Sequence, residues 1–252
     1  MPDMTGKTDL HKDSSVTSES SVTSESSVTP RQTLRISELT FRWGRTQPGI
    51  RYPDATLNSG EHLFLRGPSG SGKSTLLSLL GGLIVPDSGR LELLGTDLAG
   101  LTSGQRDRFR ADHMGVIFQQ FNLVPYLSTL DNVTLPCKLS RKRRARALSS
   151  PEAEAKSLLT ALGIPQSHWH RRVTTLSVGQ QQRVAAARAL TGAPELILAD
   201  EPTSALDSDN RDRFIELLLG LAAEKHSSVV FVSHDKSLAQ RFNHQLALEV
   251  TP

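Results

Sequence analysis

The segment Gly67-Pro68-Ser69-Gly70-Ser71-Gly72-Lys73-Ser74 spells G-x-x-x-x-G-K-[ST] and constrains everything around it. Before it, His62-Leu63-Phe64-Leu65-Arg66 is a short, mostly apolar run. After it, Leu76, Leu77, Leu80, Leu83 and Ile84 recur at helical spacing. The motif therefore falls where a buried strand should turn into a helix, the setting that gives it meaning. Glycines let the backbone curl until successive N–H groups point inward at an anion. The following helix adds the positive end of its dipole. Lys73 offers a full charge to β- and γ-phosphates, and the Ser74 hydroxyl suits Mg²⁺. A glycine-rich loop that binds nothing is the plain alternative. From average glycine usage a chance match in 252 residues is roughly 1%, so the loop is read as nucleotide-binding.

Length and composition set the limits. The 252 residues allow one sizeable domain, or a core with a subdomain. The net charge of +3 is too small to argue for nucleic acid, and no nucleic-acid partner is expected. The single Cys137 rules out an internal disulfide and fits a reducing cytosol. The longest uncharged apolar stretch, Ser74 to Pro86, is broken by Gly and Ser and is too short to span a bilayer, so a membrane role needs a partner chain. Residues 14–29 repeat the hexad Ser-Ser-Val-Thr-Ser-Glu. Such a tract cannot bury enough apolar surface to offset its ordering entropy. Residues 1–32 are read as a disordered tail, and 33–252 as the folded domain.

Along that domain, Leu34 and Ile36 alternate, then Leu39, Phe41 and Trp43, which predicts a strand or hairpin with a register slip near Ser37-Glu38. Leu91 and Leu93 mark another strand. Thr102 to Gln105 matches a capping box ahead of a charged helix. Met114 to Phe118 reads as a buried strand, and the stretch from there to Leu139, with Pro125 and Pro136, as a loop. Arg141 to Arg146 carries five positive charges in six positions, read as a solvated helix face or loop, with anionic lipid heads as the functional alternative. Ser150-Pro151 opens a helix that Gly163 ends. Ser177 to Gln180 is a second capping box. Leu196 to Ala199 and Val229 to Val232 are buried strands, Phe214 to Leu221 a helix between them, and Leu246, Leu248 and Val250 alternate at the end. Strands alternating with helices predict an α/β fold with a mainly parallel sheet covered on both faces.

Four pieces of chemistry accompany the loop. Asp200-Glu201 ends a buried strand, where ligands bind in open α/β sheets. An Asp there can hold Mg²⁺, and an adjacent Glu can deprotonate an attacking water. His234 ends a second core strand and is read as a γ-phosphate contact. Leu176-Ser177-Val178-Gly179-Gln180 sets a hydroxyl and unpaired N–H groups at a helix start, a second anion site. Two half-sites in one chain suggest that two copies meet around ATP. Gln119 ends a strand ahead of the loop-rich segment, where its side chain can reach a metal.

Taken in chain order, with the loop at 67–75 followed by Gln119, the 176–180 segment, Leu196 to Glu201 and His234, the motifs resemble the ATP-binding-cassette ATPase family over about residues 34–250. The resemblance implies a P-loop NTPase core with an antiparallel β subdomain and a helical insert, placed at about 120–194. It implies that the loop, Gly67, Ser69, Gly70, Ser71, Gly72, Lys73, Ser74 and Thr75, binds phosphates and Mg²⁺. Asp200 becomes the Mg²⁺ aspartate with Ser74 and Gln119 beside it, Glu201 the catalytic base, and His234 and Lys73 its companions in catalysis. Asp207 belongs to a loop crossing between protomers, and Ser177, Gly179 and Gln180 form the signature that meets the partner's γ-phosphate. An aromatic ahead of the loop stacks on adenine: Trp43 is the candidate, with Phe41 as the alternative. Val178 stands where Gly is commoner.

Within the family, Gly115 to Pro125 and Asp131-Asn132-Val133 look like the lipoprotein-release and macrolide-efflux branch. That implies a peripheral subunit on the cytoplasmic face of the inner membrane, partnered by an integral-membrane permease and a second copy of itself. No C-terminal regulatory domain is expected after His234. A cell-division regulator that transports nothing and a soluble DNA-repair or translation ATPase are the rival roles.

Overall fold

Alternation with period two divides each core strand between two hydrophobic clusters. Strand β4 (His62–Arg66) sends Leu63 and Leu65 to one cluster and Phe64 to the other. Strand β8 (Leu196–Asp200) divides Leu196 and Leu198 from Ile197 and Ala199, and β9 (Ser228–Val232) divides Val230 and Val232 from Val229 and Phe231. Strands apolar on both sides must be covered on both sides. The computed structural model describes residues 31–249, apart from 45, 47 and 205, and shows that arrangement.

The central sheet is parallel, in the order β10-β4-β9-β8-β7, with β7 at Met114–Ile117 and β10 at His244–Ala247. One face packs on α1 (Lys73–Leu80) and on an antiparallel sheet. That second sheet is built on β1 (Gln32–Phe41), which pairs with β2 (Ile50–Arg51), β3 (Ala55–Asn58) and β5 (Ser88–Leu93); β6 (Thr96–Asp97) borders β5. The other face packs on α6 (Val178–Leu190) and α7 (Ser208–Glu224). Among the described residues no helix is long and apolar enough to cross a membrane.

Several local expectations hold. The register slip is a bulge between Ser37 and Thr40, where Glu38 adopts φ +49°. Both capping boxes form, at Thr102 ahead of α2 (Ser103–His113) and at Ser177 ahead of α6. Ser150 caps α5 (Pro151–Ala161), and Gly163 follows at φ +70°.

Three do not. The stretch read as loop up to Leu139 contains α3 (Thr129–Leu139), a helix that carries Pro136 inside it. Ser128 caps its start, and the fully buried Asn132 side chain bonds both the N–H and the C=O of Val124, so tertiary contacts override the proline. The basic run forms α4 (Arg141–Arg146), with Arg141, Lys142 and Arg144 exposed as expected but Arg143 buried. The composition predicts a disordered tail through residue 32, yet Gln32 already pairs with Asn58 in β1; residues 1–30 lie outside the described residues, as does Val250.

The interface between sheet and α6 leaves no room for a side chain at Gly115. A Cβ there would stand 2.3 Å from the Ala189 carbonyl oxygen in α6. Gly115→Ala is expected to lower unfolding stability by about 2 kcal/mol, the usual scale of overpacking. Denaturant unfolding measures it, and a stability equal to the parent's would contradict the close packing.

Candidate functional site

Register brings the chemistry to one edge. Leu65 of β4 lies beside Val232 of β9, and Val232 beside Asp200 of β8. The segments leaving these strands carry the glycine-rich loop, His234 and Glu201, all at the carboxyl edge of a parallel sheet. They line one cavity of about 440 Å³ with Trp43, Pro48, Gly49 and Ile50, including every loop residue from Ser69 to Thr75.

The loop is held from inside. Gly70 and Gly72 sit at φ +81° and +89°, which glycine alone adopts freely. A Cβ on Gly72 would also stand 3.2 Å from Ile50 and 3.1 Å from the Tyr52 hydroxyl. Gly67 does not line the cavity; a Cβ there would stand 2.4 Å from the Ser71 hydroxyl and 2.7 Å from the Leu248 carbonyl oxygen. Tyr52 lies beneath the loop, 1% exposed, donating to the Gly72 carbonyl at 3.2 Å. Burial pushes its phenol up to about 12, with a bond to Thr75 opposing. Lys73 is buried, and its ammonium donates to the carbonyls of Gly67 at 2.9 Å and Pro68 at 2.8 Å. The Ser71 hydroxyl is buried without a protein partner.

Above the loop, Glu201 adopts φ +43° while its N–H donates to Val232, which turns the chain sharply after β8. Its carboxylate meets His234 Nε2 at 2.6 Å. The structure thus joins the expected base and the expected phosphate contact to each other. Asp200 is desolvated, and the neighbouring Glu201 charge adds to that, so its carboxyl is pushed up from the usual range, with Lys73 opposing. A carboxyl short of compensating positive charge, at a strand end within the field of Lys73, fits a divalent cation.

Trp43 is half exposed, lines the cavity, and donates from Nε1 to the Thr75 hydroxyl at 3.2 Å. Phe41 is buried and meets Trp43 edge-on, with ring centroids 5.0 Å apart. Of the two candidate aromatics, Trp43 is the one exposed at the loop.

The remaining expected residues lie elsewhere. Gln119 is exposed beyond β7 and does not line the loop cavity. Ser177 and Gly179 line a separate cavity of about 250 Å³ with Gln182, Arg183, Leu206, Asn210 and Phe214. Ser177 caps α6 by accepting from the Gln180 N–H, and the Gln180 side chain bonds back to the Ser177 N–H. Asp207 caps α7: its carboxylate accepts from the Asn210 N–H at 2.9 Å, which holds it below the usual range. Tyr52, Ile50 and Gly49 escaped sequence reasoning. The alternation of Ile50 with Tyr52 was the available signal for a strand there.

The sequence compares with known proteins over most of its length. The profile of the family described as ABC transporter matches residues 51–204. The chain is 40% identical over 223 residues to the lipoprotein-releasing system ATP-binding protein LolD of Ruegeria sp. (strain TM1040), covering 86% of this chain and 95% of that protein. It is 36% identical over 222 residues to the macrolide export ATP-binding/permease protein MacB of Marinobacter nauticus, covering 87% of this chain and 34% of that longer protein. Among solved structures, the ATP-binding cassette MJ0796, dimeric and bound to ADP and Pi, superposes with a TM-score of 0.74 at 35% identity, covering 87% of this chain and 97% of that one.

The raised Asp200 carboxyl has a consequence for stability. A carboxyl whose folded pKa lies above its unfolded one favours folding most below the unfolded value, and loses that contribution as pH rises through the folded value. Asp200→Asn should therefore stabilise the ligand-free protein at neutral pH, and the gain over the parent should vanish at acid pH. Thermal unfolding across pH checks this. A variant less stable than the parent at neutral pH would contradict it.

Proposed function

The chain belongs to the ABC transporter family as an ATP-hydrolysing cassette, and from that premise we propose that its site residues divide ATP between two copies of the chain that drive a membrane permease. One observation carries the proposal: the glycine-rich loop, Lys73, Trp43, Glu201 and His234 share a cavity, while Ser177 and Gly179 line another.

In this reading the loop N–H groups from Ser69 to Thr75 cradle the phosphates, and Trp43 stacks on adenine. The Lys73 ammonium leaves the loop carbonyls for the β- and γ-phosphates. Ser74, Asp200 and Gln119 are the residues that would hold Mg²⁺, which when bound neutralises phosphate charge. Glu201 takes the proton from the attacking water, and His234 holds that carboxylate in place beside the γ-phosphate. Phosphoryl transfer needs little covalent help, so positioning and charge supply the rate. The Ser177–Gln180 helix start presents its N–H groups to the γ-phosphate of the other copy, and Asp207 shapes the segment that passes between the copies. Kinship with LolD and MacB supports a permease of the lipoprotein-release or macrolide-efflux type as the membrane partner, with the cassette on the cytoplasmic face of the membrane. The cassette domain begins with β1 at Gln32, and the helical insert is placed at about 120–194.

Glu201→Gln keeps size and hydrogen bonding but cannot accept the water's proton. It should halt hydrolysis, retain ATP, and run as a dimer with ATP and Mg²⁺ but as a monomer without. Adding Ser177→Arg should abolish that dimer, because a long cation displaces the hydroxyl cap at the seam. Light scattering with and without ATP reads both results. A double variant that still dimerises would contradict the assignment of Ser177 to the partner's nucleotide.

A further inference from the structure

The basic run in α4 is only partly a solvated surface. Arg143, 3% exposed, turns its guanidinium onto the far end of α6. Its Nε donates to the Thr191 carbonyl at 2.9 Å, and Nη2 to Ala189 at 2.8 Å, to Thr191, and to Arg188 at 3.4 Å. These are carbonyls that a helix C-terminus leaves unpaired, and the planar fork of Arg suits several at once. Nη1 donates at 2.9 Å to the carbonyl of Met114, the first residue of β7. One side chain thus ties α6 to the edge strand of the parallel sheet.

Glu154 of α5 closes the same corner. It is 2% exposed, accepts from the Gly192 N–H at 2.9 Å, and pairs with Lys225 at the end of α7. Gly192 sits at φ +72°, and a Cβ there would stand 2.6 Å from the Arg143 carbonyl oxygen. Burial pulls the Arg143 guanidinium down to about 10, still charged at neutral pH, and Glu154 is among the charges that hold it up. Buried charges of this kind tolerate little displacement, because losing one partner leaves the other desolvated and unpaired.

The opposite end of α6 is the Ser177 helix start. Thirteen residues at 1.5 Å each separate the two ends by about 20 Å. A tilt of about 5° at the Arg143 end moves the Ser177 end by roughly 1.7 Å over that length. We propose that Arg143 and Glu154 are positioning residues for ATP hydrolysis: they fix the pivot end of α6 and so set where its Ser177 end meets the partner's nucleotide. This rests on the reading that Ser177 acts on the partner's ATP. Neither residue lines the loop cavity, so nucleotide binding by a single chain does not depend on them.

The test uses the full chain. Arg143→Met keeps bulk and removes the fork; Arg143→Lys keeps charge with a single donor centre. Because misplacements near 1 Å can cost up to about 100-fold in rate, Arg143→Met should lower hydrolysis at saturating ATP by about tenfold or more. ATP affinity of the monomer should stay within about twofold, and Arg143→Lys should recover part of the rate. In the Glu201→Gln background, ATP-dependent association should weaken in the same order. Hydrolysis and association equal to the parent's would overturn the proposal. Parallel loss of monomer ATP affinity would overturn it too, since that marks a general loss of structure. Should Arg143→Met fail to fold, Arg143→Lys alone is judged by the same two results. Ser177→Arg in the Glu201→Gln background separates the layers. If it leaves association intact, both the trans reading and the proposal fall. If it abolishes association and the Arg143 variants do not weaken it, only the proposal falls.

Discussion

A buried ammonium held by its own loop is the constraint on which the rest depends. Lys73 can point inward only if the backbone from Gly67 to Gly72 curls around it, and that curl needs positive φ at Gly70 and Gly72 and a floor beneath. Tyr52 and Ile50 supply the floor, and both reach the loop because β2 pairs with β1. The antiparallel sheet is therefore part of the phosphate site as well as a cover for the core. It also brings Trp43 to the cavity rim, with Phe41 behind it.

The parallel sheet performs the second task, alignment. Because β4, β9 and β8 are neighbours in register, three chain segments far apart in sequence leave the sheet side by side. A positive-φ turn at Glu201 then aims its carboxylate at His234. Asp200 stays beneath, desolvated and short of positive charge. Burial and the neighbouring Glu201 charge both disfavour its ionised form, the electrostatic situation that clusters at functional sites.

Much of this was legible in the sequence because the deciding signals were local. Glycine spacing, two capping boxes and four-residue apolar runs each depend on neighbours within a few positions. What was not legible depended on distant partners. Pro136 masked α3, whose helix is held by Asn132 and a cap at Ser128. The charge run concealed Arg143, because nothing in Arg-Lys-Arg-Arg tells which member faces carbonyls in a helix some forty residues later. Tyr52 and Ile50 escape because strand β2 spans only two residues, so the alternation of Ile50 with Tyr52 is a single step with nothing around it to repeat. Trp43 is the sequence candidate with Phe41 as its alternative, and exposure separates the two.

The two cavities give the account its central claim: each chain carries half of two sites, and a complete site takes the glycine-rich loop of one copy and the Ser177 helix of another. Lys73→Ala spoils the first half and Ser177→Arg the second, so each protein alone should be inactive. Mixed, they should form pairs in which one site carries both lesions and the other carries none. Hydrolysis by the mixture, measured against each variant alone, tests the claim most directly. The account predicts that activity returns on mixing. A mixture as inactive as its components would contradict it.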